Sequence, residues 1–205
     1  YWNKFIRWHL ESYGTGIPFR RVDGYKNVDE LVELLQSHGA DFLKTSDVIF
    51  ASDIGCYTLG INPPYNAADY LLSMGSSVGD GCGFSVSTDQ KVASFIGDST
   101  FFHSGISPLI NAVHNKHNFV LTVLDNRITA MTGGQDSAGT NKFEAICLGL
   151  GVAPEHVRVV VPLPKNMEEI TRTIREEIEY KGVSVIIPRR ECMQTLQRKL
   201  RNKKK

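Results

Sequence analysis

Asp98 and Asn126 stand at the ends of two apolar runs, the first in GDST after VASFI and the second in LDN after FVLTVL. Gly97 lets backbone approach closely, Asp98 projects a carboxylate, and the amides near Ser99 and Thr100 lie free at the start of a helix, where the dipole suits a phosphate. A carboxylate beside a phosphate repels it unless a divalent cation lies between. Magnesium prefers oxygen ligands and keeps part of its shell as phosphate oxygens and water. Asn126 offers an amide oxygen, and the irregular backbone at Ile128 a carbonyl. The stretch between Asp98 and Asn126 has room for turn, helix, turn and strand, one crossover that makes the two turns neighbours. The expectation is a magnesium diphosphate cradle. Asp98 alone also fits a helix N-cap, and Asn126 without Asp98 is an ordinary turn residue.

The elements that must hold these turns are short runs rich in Val and Ile: DVIFAS (47–52), KVASFI (91–96), FVLTVL (119–124), VRVVV (157–161) and VSVII (183–187). Each is apolar on both parities, the pattern of a strand covered on both faces. Helical segments SGISPLINAVHNKH, NKFEAICLGLG and NMEEITRTIREEIEYKG lie between them, the last with Asn166 placed as N-cap and Gly182 past its end. Alternation of this kind predicts an α/β fold, a mainly parallel sheet with helices on both faces. Ligands of such sheets sit beyond the carboxyl ends of the strands, where both turns fall.

Residues 1–46 read as a less regular N-terminal segment packed on the main domain: WNKFIRWHL as a short amphipathic helical turn and VDELVELLQSHG as a helix. The likeness of KNVDELVEL to KNMEEITRT needs no more than two generic Asn-capped helices. GDGCGF (79–84) holds a GDG triplet but follows no strand in this reading and is taken as a flexible loop. MTGGQDSAGT is a long polar connection, suited to a lid or to disorder. His103 is a candidate acid/base, with a local carbonyl as its other partner; His114 and His117 are expected to face solvent.

A formal net charge of +1, with 41% hydrophobic and 22% charged residues, gives no sign of a nucleic-acid partner. The basic stretch LQRKLRNKKK within 193–205 reads as a solvated tail. No stretch is apolar enough for a membrane span. Cys56, Cys82, Cys147 and Cys192 are scattered, unlike a zinc knuckle or a disulfide framework, and point to a reducing cytoplasm.

Four blocks in order, SDIGCYTLG (52–60), PPYNAADYLLSMGSSVG (63–79), GDST and LDNRITAMTGGQ (124–135), resemble the thiamine diphosphate-binding domain of the 2-oxoacid:ferredoxin oxidoreductases, nearest to the large subunit of the indolepyruvate branch. The resemblance covers roughly 47–192, which the reading takes as the diphosphate/magnesium domain. It implies the thiamine diphosphate-binding fold. It assigns Asp98, Asn126 and the carbonyl of Ile128 to Mg2+, and places Gly97, Ser99, Thr129, Ala130 and Met131 along the diphosphate. Gly55 and Cys56, and Met74 and Gly75, match positions around the cofactor, Met74 as a prop for its bent shape. Cys56 also fits a small buried hydrophobe.

The resemblance further implies oxidative decarboxylation of a 2-oxoacid, an aryl pyruvate such as indolepyruvate, with coenzyme A taking the acyl group and ferredoxin the electrons. The family activates its cofactor from a separate pyrimidine-binding domain, and neither that domain, a ferredoxin-like cysteine cluster nor a Cys-Pro-Gly-Cys segment is found in this sequence. The chain is therefore expected to supply half of a site in an oligomer, with iron-sulfur clusters on another chain or region. Two alternatives remain: a subunit of a non-oxidative thiamine-dependent decarboxylase, and a noncatalytic diphosphate-cofactor module.

Overall fold

The computed structural model describes residues 6–12, 18–25, 48–62 and 65–202. The chain divides into two compact units, Tyr1–Ser46 and Asp47–Lys205. In the first, strands β1 (Ile6–Ser12) and β2 (Pro18–Tyr25) pair antiparallel with a register shift at Arg7/Trp8. The expected helical turn at WNKFIRWHL is thus a strand over its described part. Ile6, Trp8 and Leu10 alternate strictly with polar residues, and that period of two outweighs the weaker helical spacing. The helix expected at VDELVELLQSHG lies outside the described residues.

The second unit is built on six strands in the order β4-β3-β5-β6-β10-β9, all parallel. They are β3 (Val48–Ser52), β4 (Tyr70–Leu71), β5 (Lys91–Gly97), β6 (Phe119–Leu124), β9 (Val157–Val160) and β10 (Val183–Pro188). After β3 the chain moves outward to β4, then returns across β3 to β5, so the direction of winding reverses at the β3/β5 boundary. Crevices at such reversals are where open parallel sheets bind ligands.

Helices cover both faces. On one, Phe119, Leu121 and Val123 of β6 and Val183, Val185 and Ile187 of β10 join Val78 and Cys82 of α1 (Ser77–Ser87), Leu109 and Ala112 of α3 (Ile106–His114), and Phe143 and Cys147 of α4 (Phe143–Gly149). On the other, Val120, Ile186 and Val160 meet Ile170 and Ile178 of α5 (Met167–Glu179). Alternate residues of one strand feed two cores, which is why these runs are apolar on both parities.

Several local expectations are corrected. GDGCGF is no loop: it lies inside α1 and follows the short strand β4. Glycine is a poor helix former, but a Cβ at Gly81 would overlap Ser94 Oγ of β5 and crowd Phe119, so close helix-to-sheet contact selects it. Asn166 precedes α5 without capping it; its side chain donates to the Val161 carbonyl at 3.0 Å. His117 does not face solvent freely but bonds through Nδ1 to Ser85 Oγ at 2.7 Å, while His114 is exposed. The basic tail is helical, α6, over Met193–Asn202.

Candidate active site

β5 and β6 end level, with Gly97 beside Leu124 in the parallel register. Beyond Gly97 the chain turns directly into a continuous helical run: α2 (Asp98–Thr100), a π-helical turn over Phe101–Gly105, then α3. The π turn has a cause in Pro108, whose ring would strike the Ser104 carbonyl of a regular helix and whose nitrogen cannot bond it. Wide turns of this kind recur at functional sites, and this one carries His103, exposed, to the rim of the cleft described next.

That cleft, of about 280 Å³, opens at the carboxyl ends of β3, β5 and β6. The loop after β3 contributes Gly55 and Cys56; the turn after β4, Met74; the start of α2, Gly97, Asp98 and Ser99. Asn126, Ile128, Thr129, Ala130 and Met131 line the remaining wall. Every candidate from the sequence lines the cleft except Gly75, whose amide is bonded to Asp53. Cys56 is exposed rather than buried, and Met74 and Met131 are exposed at the cleft edge.

Asp98 is the central acid. It is 3% exposed, and it is the first helical residue after Gly97, which occupies the N-cap position. Its Oδ1 accepts the Ser99 amide at 2.7 Å, whereas Oδ2 is buried with no hydrogen-bond partner. Burial pushes the Asp98 carboxyl above the ordinary carboxylate range; the Ser99 amide draws it back, the nearby Asp125 charge pushes further, and the Arg127 amide draws it back again, although the hydrogen bond of that amide goes to Asp125 Oδ1. A buried carboxylate oxygen without a partner is costly. Its environment therefore fits a cation.

The segment after β6 supplies the facing oxygens. Asn126 Oδ1 accepts the Ile128 amide at 3.0 Å, an Asx turn that leaves a second lone pair. Arg127 between them has φ +68, a left-handed turn, and its amide bonds Asp125 Oδ1 at 3.2 Å. Ser99 Oγ and Thr129 Oγ1 lie 2.6 Å apart, tying the two turns together. The long polar connection is ordered in part: β7 (Ile128–Thr129) and β8 (Gln135–Asp136) pair antiparallel. Among the described residues no cluster of three His, Cys, Asp or Glu side chains exists. A metal at Asp98 would draw on one carboxylate, one amide and one carbonyl, a hard-oxygen set that suits magnesium.

Two residues of DIGCY escaped the sequence reading. Asp53 is fully buried and accepts the Ile54 amide at 2.6 Å and the Gly75 amide at 2.7 and 2.8 Å, with Ser77 Oγ at 3.3 Å. It joins the loop after β3 to the turn after β4. Tyr57 lines the cleft, and its hydroxyl accepts the Gly97 amide at 2.9 Å. Both act across tens of residues, and no local spacing signals them. Gly75 itself has φ +90, and a Cβ there would overlap Ser104 Oγ of the π turn. Gly75→Ala is expected to cost about 2 kcal/mol from the left-handed backbone and the overlap, read as a lower urea midpoint at unchanged slope.

A parallel sheet covered by helices on both faces, with a cleft at its winding reversal, defines the class: a doubly wound α/β domain. Residues 53–187 match the family model described as the C-terminal TPP-binding domain of thiamine pyrophosphate enzymes, and the chain belongs to that family. It is 54% identical over 193 residues to indolepyruvate oxidoreductase subunit IorA of Methanothermobacter thermautotrophicus, covering 89% of this chain and 29% of that one. The subunit of the same name from Archaeoglobus fulgidus is 43% identical over 157 residues, covering 71% and 25%. The expected resemblance to the indolepyruvate branch of the 2-oxoacid:ferredoxin oxidoreductases is borne out by these relatives, of whose length the chain spans about a third or less.

Among solved structures, the 2-oxoglutarate:ferredoxin oxidoreductase of Magnetococcus marinus superposes with a TM-score of 0.60 at 17% identity, over 80% of this chain and 60% of that one. The thiamine diphosphate-dependent 4-hydroxybenzoylformate decarboxylase of Rhodococcus jostii gives 0.51 at 18%, over 89% and 34%. At these identities they establish the fold alone.

Proposed function

We propose that this chain is the diphosphate- and magnesium-binding half of a thiamine diphosphate-dependent oxidoreductase site that decarboxylates a 2-oxoacid, an aryl pyruvate such as indolepyruvate, with coenzyme A as acyl acceptor and ferredoxin as electron acceptor. The observation that carries the reading is the partnerless buried Oδ2 of Asp98 in a cleft it shares with Asn126 and Ile128. Asp98, Asn126 Oδ1 and the Ile128 carbonyl would hold the cation. Ser99, Gly97 and the Thr129–Met131 stretch would line the diphosphate; the amides expected to lie free at this turn are in part engaged, that of Gly97 by the Tyr57 hydroxyl and that of Ser99 by Asp98 Oδ1. Bound thiamine diphosphate supplies the carbon nucleophile and electron sink for the decarboxylation.

The protein's part is to hold that group in one pose and to place His103, on the rim, within reach of a proton near the substrate. The substrate assignment rests on the relatives named indolepyruvate oxidoreductase subunit IorA; coenzyme A and ferredoxin follow from the resemblance to the 2-oxoacid:ferredoxin oxidoreductases. Iron-sulfur clusters and the pyrimidine-binding half are assigned to partner chains or to other regions of the polypeptide. No described helix is long and apolar enough to cross a membrane, which agrees with a cytoplasmic site of action.

Titration calorimetry tests the reading. The chain is expected to bind thiamine diphosphate saturably with magnesium present and to release it when the metal is chelated. Tight binding of another diphosphate, such as ADP, with none of thiamine diphosphate would replace the enzymatic reading with that of a nucleotide-binding module.

A further inference from the structure

The Tyr57 hydroxyl has a hydrogen-bond capacity that the protein leaves half used. As acceptor it takes the Gly97 amide at 2.9 Å. As donor it has no protein acceptor among the described residues, although a phenol in a half-buried position ordinarily finds a partner for its proton. The ring is held rather than loose. A Cβ at Gly55 would overlap the Tyr57 ring, so the glycine is what lets the ring fold back over its own loop and reach across to β5. Burial, followed by the charge of Asp53, keeps the phenol protonated, its titration pushed well above the ordinary tyrosine value. The group facing the cleft is therefore a neutral O–H, polarised by the amide it accepts.

We infer that Tyr57 is a binding residue for the diphosphate, its O–H donating to a phosphoryl oxygen. The inference rests on the proposed function and deepens it. The placement selects this ligand: Gly97, to which the hydroxyl is bonded, directly precedes Asp98, and Ser99 follows, so the unused proton would be available to a diphosphate held at the stretch to which the proposed function gives the metal. Tyr57 on one side and the Ser99/Thr129 pair on the other would grip the phosphoryl oxygens left free by the metal.

The full chain is titrated with inorganic pyrophosphate and with thiamine diphosphate, each with magnesium, as wild type, Tyr57→Phe and Asp98→Ala. Tyr57→Phe is expected to weaken both ligands by the same factor, on the order of ten- to a hundredfold for a hydrogen bond to a charged group. Because that variant also frees the Gly97 amide, a second measurement isolates the donor. Protein labelled with 3-fluorotyrosine carries seven tyrosines; the 19F resonance missing from Tyr57→Phe is expected to shift when magnesium pyrophosphate is added and to return after pyrophosphatase treatment. Pyruvate alone is expected to leave it unmoved. Wild-type affinity in Tyr57→Phe, a resonance blind to bound pyrophosphate, or one that answers to pyruvate instead overturns the inference and leaves the proposed function standing. Failure of the wild type to bind either diphosphate, or undiminished binding by Asp98→Ala, overturns the parent reading and this one with it.

Discussion

In ligand-free protein, Asp98→Asn is expected to raise the thermal midpoint, while magnesium-dependent binding of thiamine diphosphate is expected to fall by roughly a hundredfold or more. The loss would follow from removing the carboxylate that the proposed cradle offers a cation; even outer-shell partners of a metal cost about 10–100-fold when removed. The gain in stability follows from the same oxygen. Asp98 Oδ2 is buried without a partner, and an ionised carboxylate in that position opposes folding until a cation arrives. Asn keeps the acceptor for the Ser99 amide and removes the charge. The expected gain is about 1–3 kcal/mol, a rise of several degrees for a domain of this size.

The pH dependence separates this effect from generic repacking. Burial raises the Asp98 carboxyl above its ordinary value of 3.8. A group raised in the folded state contributes stability that is fully present below its unfolded value and lost as pH rises through the folded one. The advantage of Asp98→Asn is therefore present at neutral pH and shrinks as pH falls toward the ordinary carboxylate range. Melts in chelator from acid to neutral pH check it; a variant that melts below wild type at neutral pH would show that the oxygen is partnered in solution.

How much of this was legible in the sequence varies with the range of the interactions involved. Strands β5, β6 and β10 were readable because a strand buried on both faces has one signature, Val and Ile on both parities. That Asp98 and Asn126 line one cleft was readable because a strand-helix-strand crossover makes successive parallel strands neighbours, with their carboxyl ends on the same side. What stayed hidden depends on contacts no local window contains. Helix α1 runs through Gly79, Gly81 and Gly83, and its existence rests on packing against β5. Asp53 reaches Gly75 and Tyr57 reaches Gly97 only because β3, β4 and β5 lie side by side. Trp8 and its neighbours alternate like a strand, yet a short apolar segment satisfies a helical template as easily.

Arg189 was hidden for the same reason, and its removal is expected to be among the most damaging single changes in the domain. Its Nε donates to Asp125 Oδ2 at 2.6 Å, and both terminal nitrogens fork onto Glu144 at 2.8 Å. Asp125 is 1% exposed, directly before Asn126, and its other oxygen holds the Arg127 amide that shapes the left-handed turn. Past the strands proper, the Arg190 amide bonds the Asp125 carbonyl and the Cys192 amide the Asn126 carbonyl. The segment after β10 thus clamps the turn on its far side. Arg189→Met leaves Asp125 buried and uncompensated, at about 3–5 kcal/mol, and magnesium-dependent cofactor affinity drops because the Asn126 turn loses its anchor.

Glu144 is held below its ordinary value chiefly by its hydrogen bond to Arg189. Its contribution is present above the ordinary glutamate value and lost as pH falls through the lowered one, and it is small because Glu144 is 36% exposed. The acid-side loss of stability in wild type is therefore expected to flatten in Arg189→Met. The double variant Arg189→Met with Asp125→Asn is expected to recover much of the stability, since it removes the stranded charge, while cofactor affinity stays low. If urea melts instead show the two losses adding, Asp125 and Arg189 are not coupled, and the turn that presents Asn126 is held by backbone bonds alone.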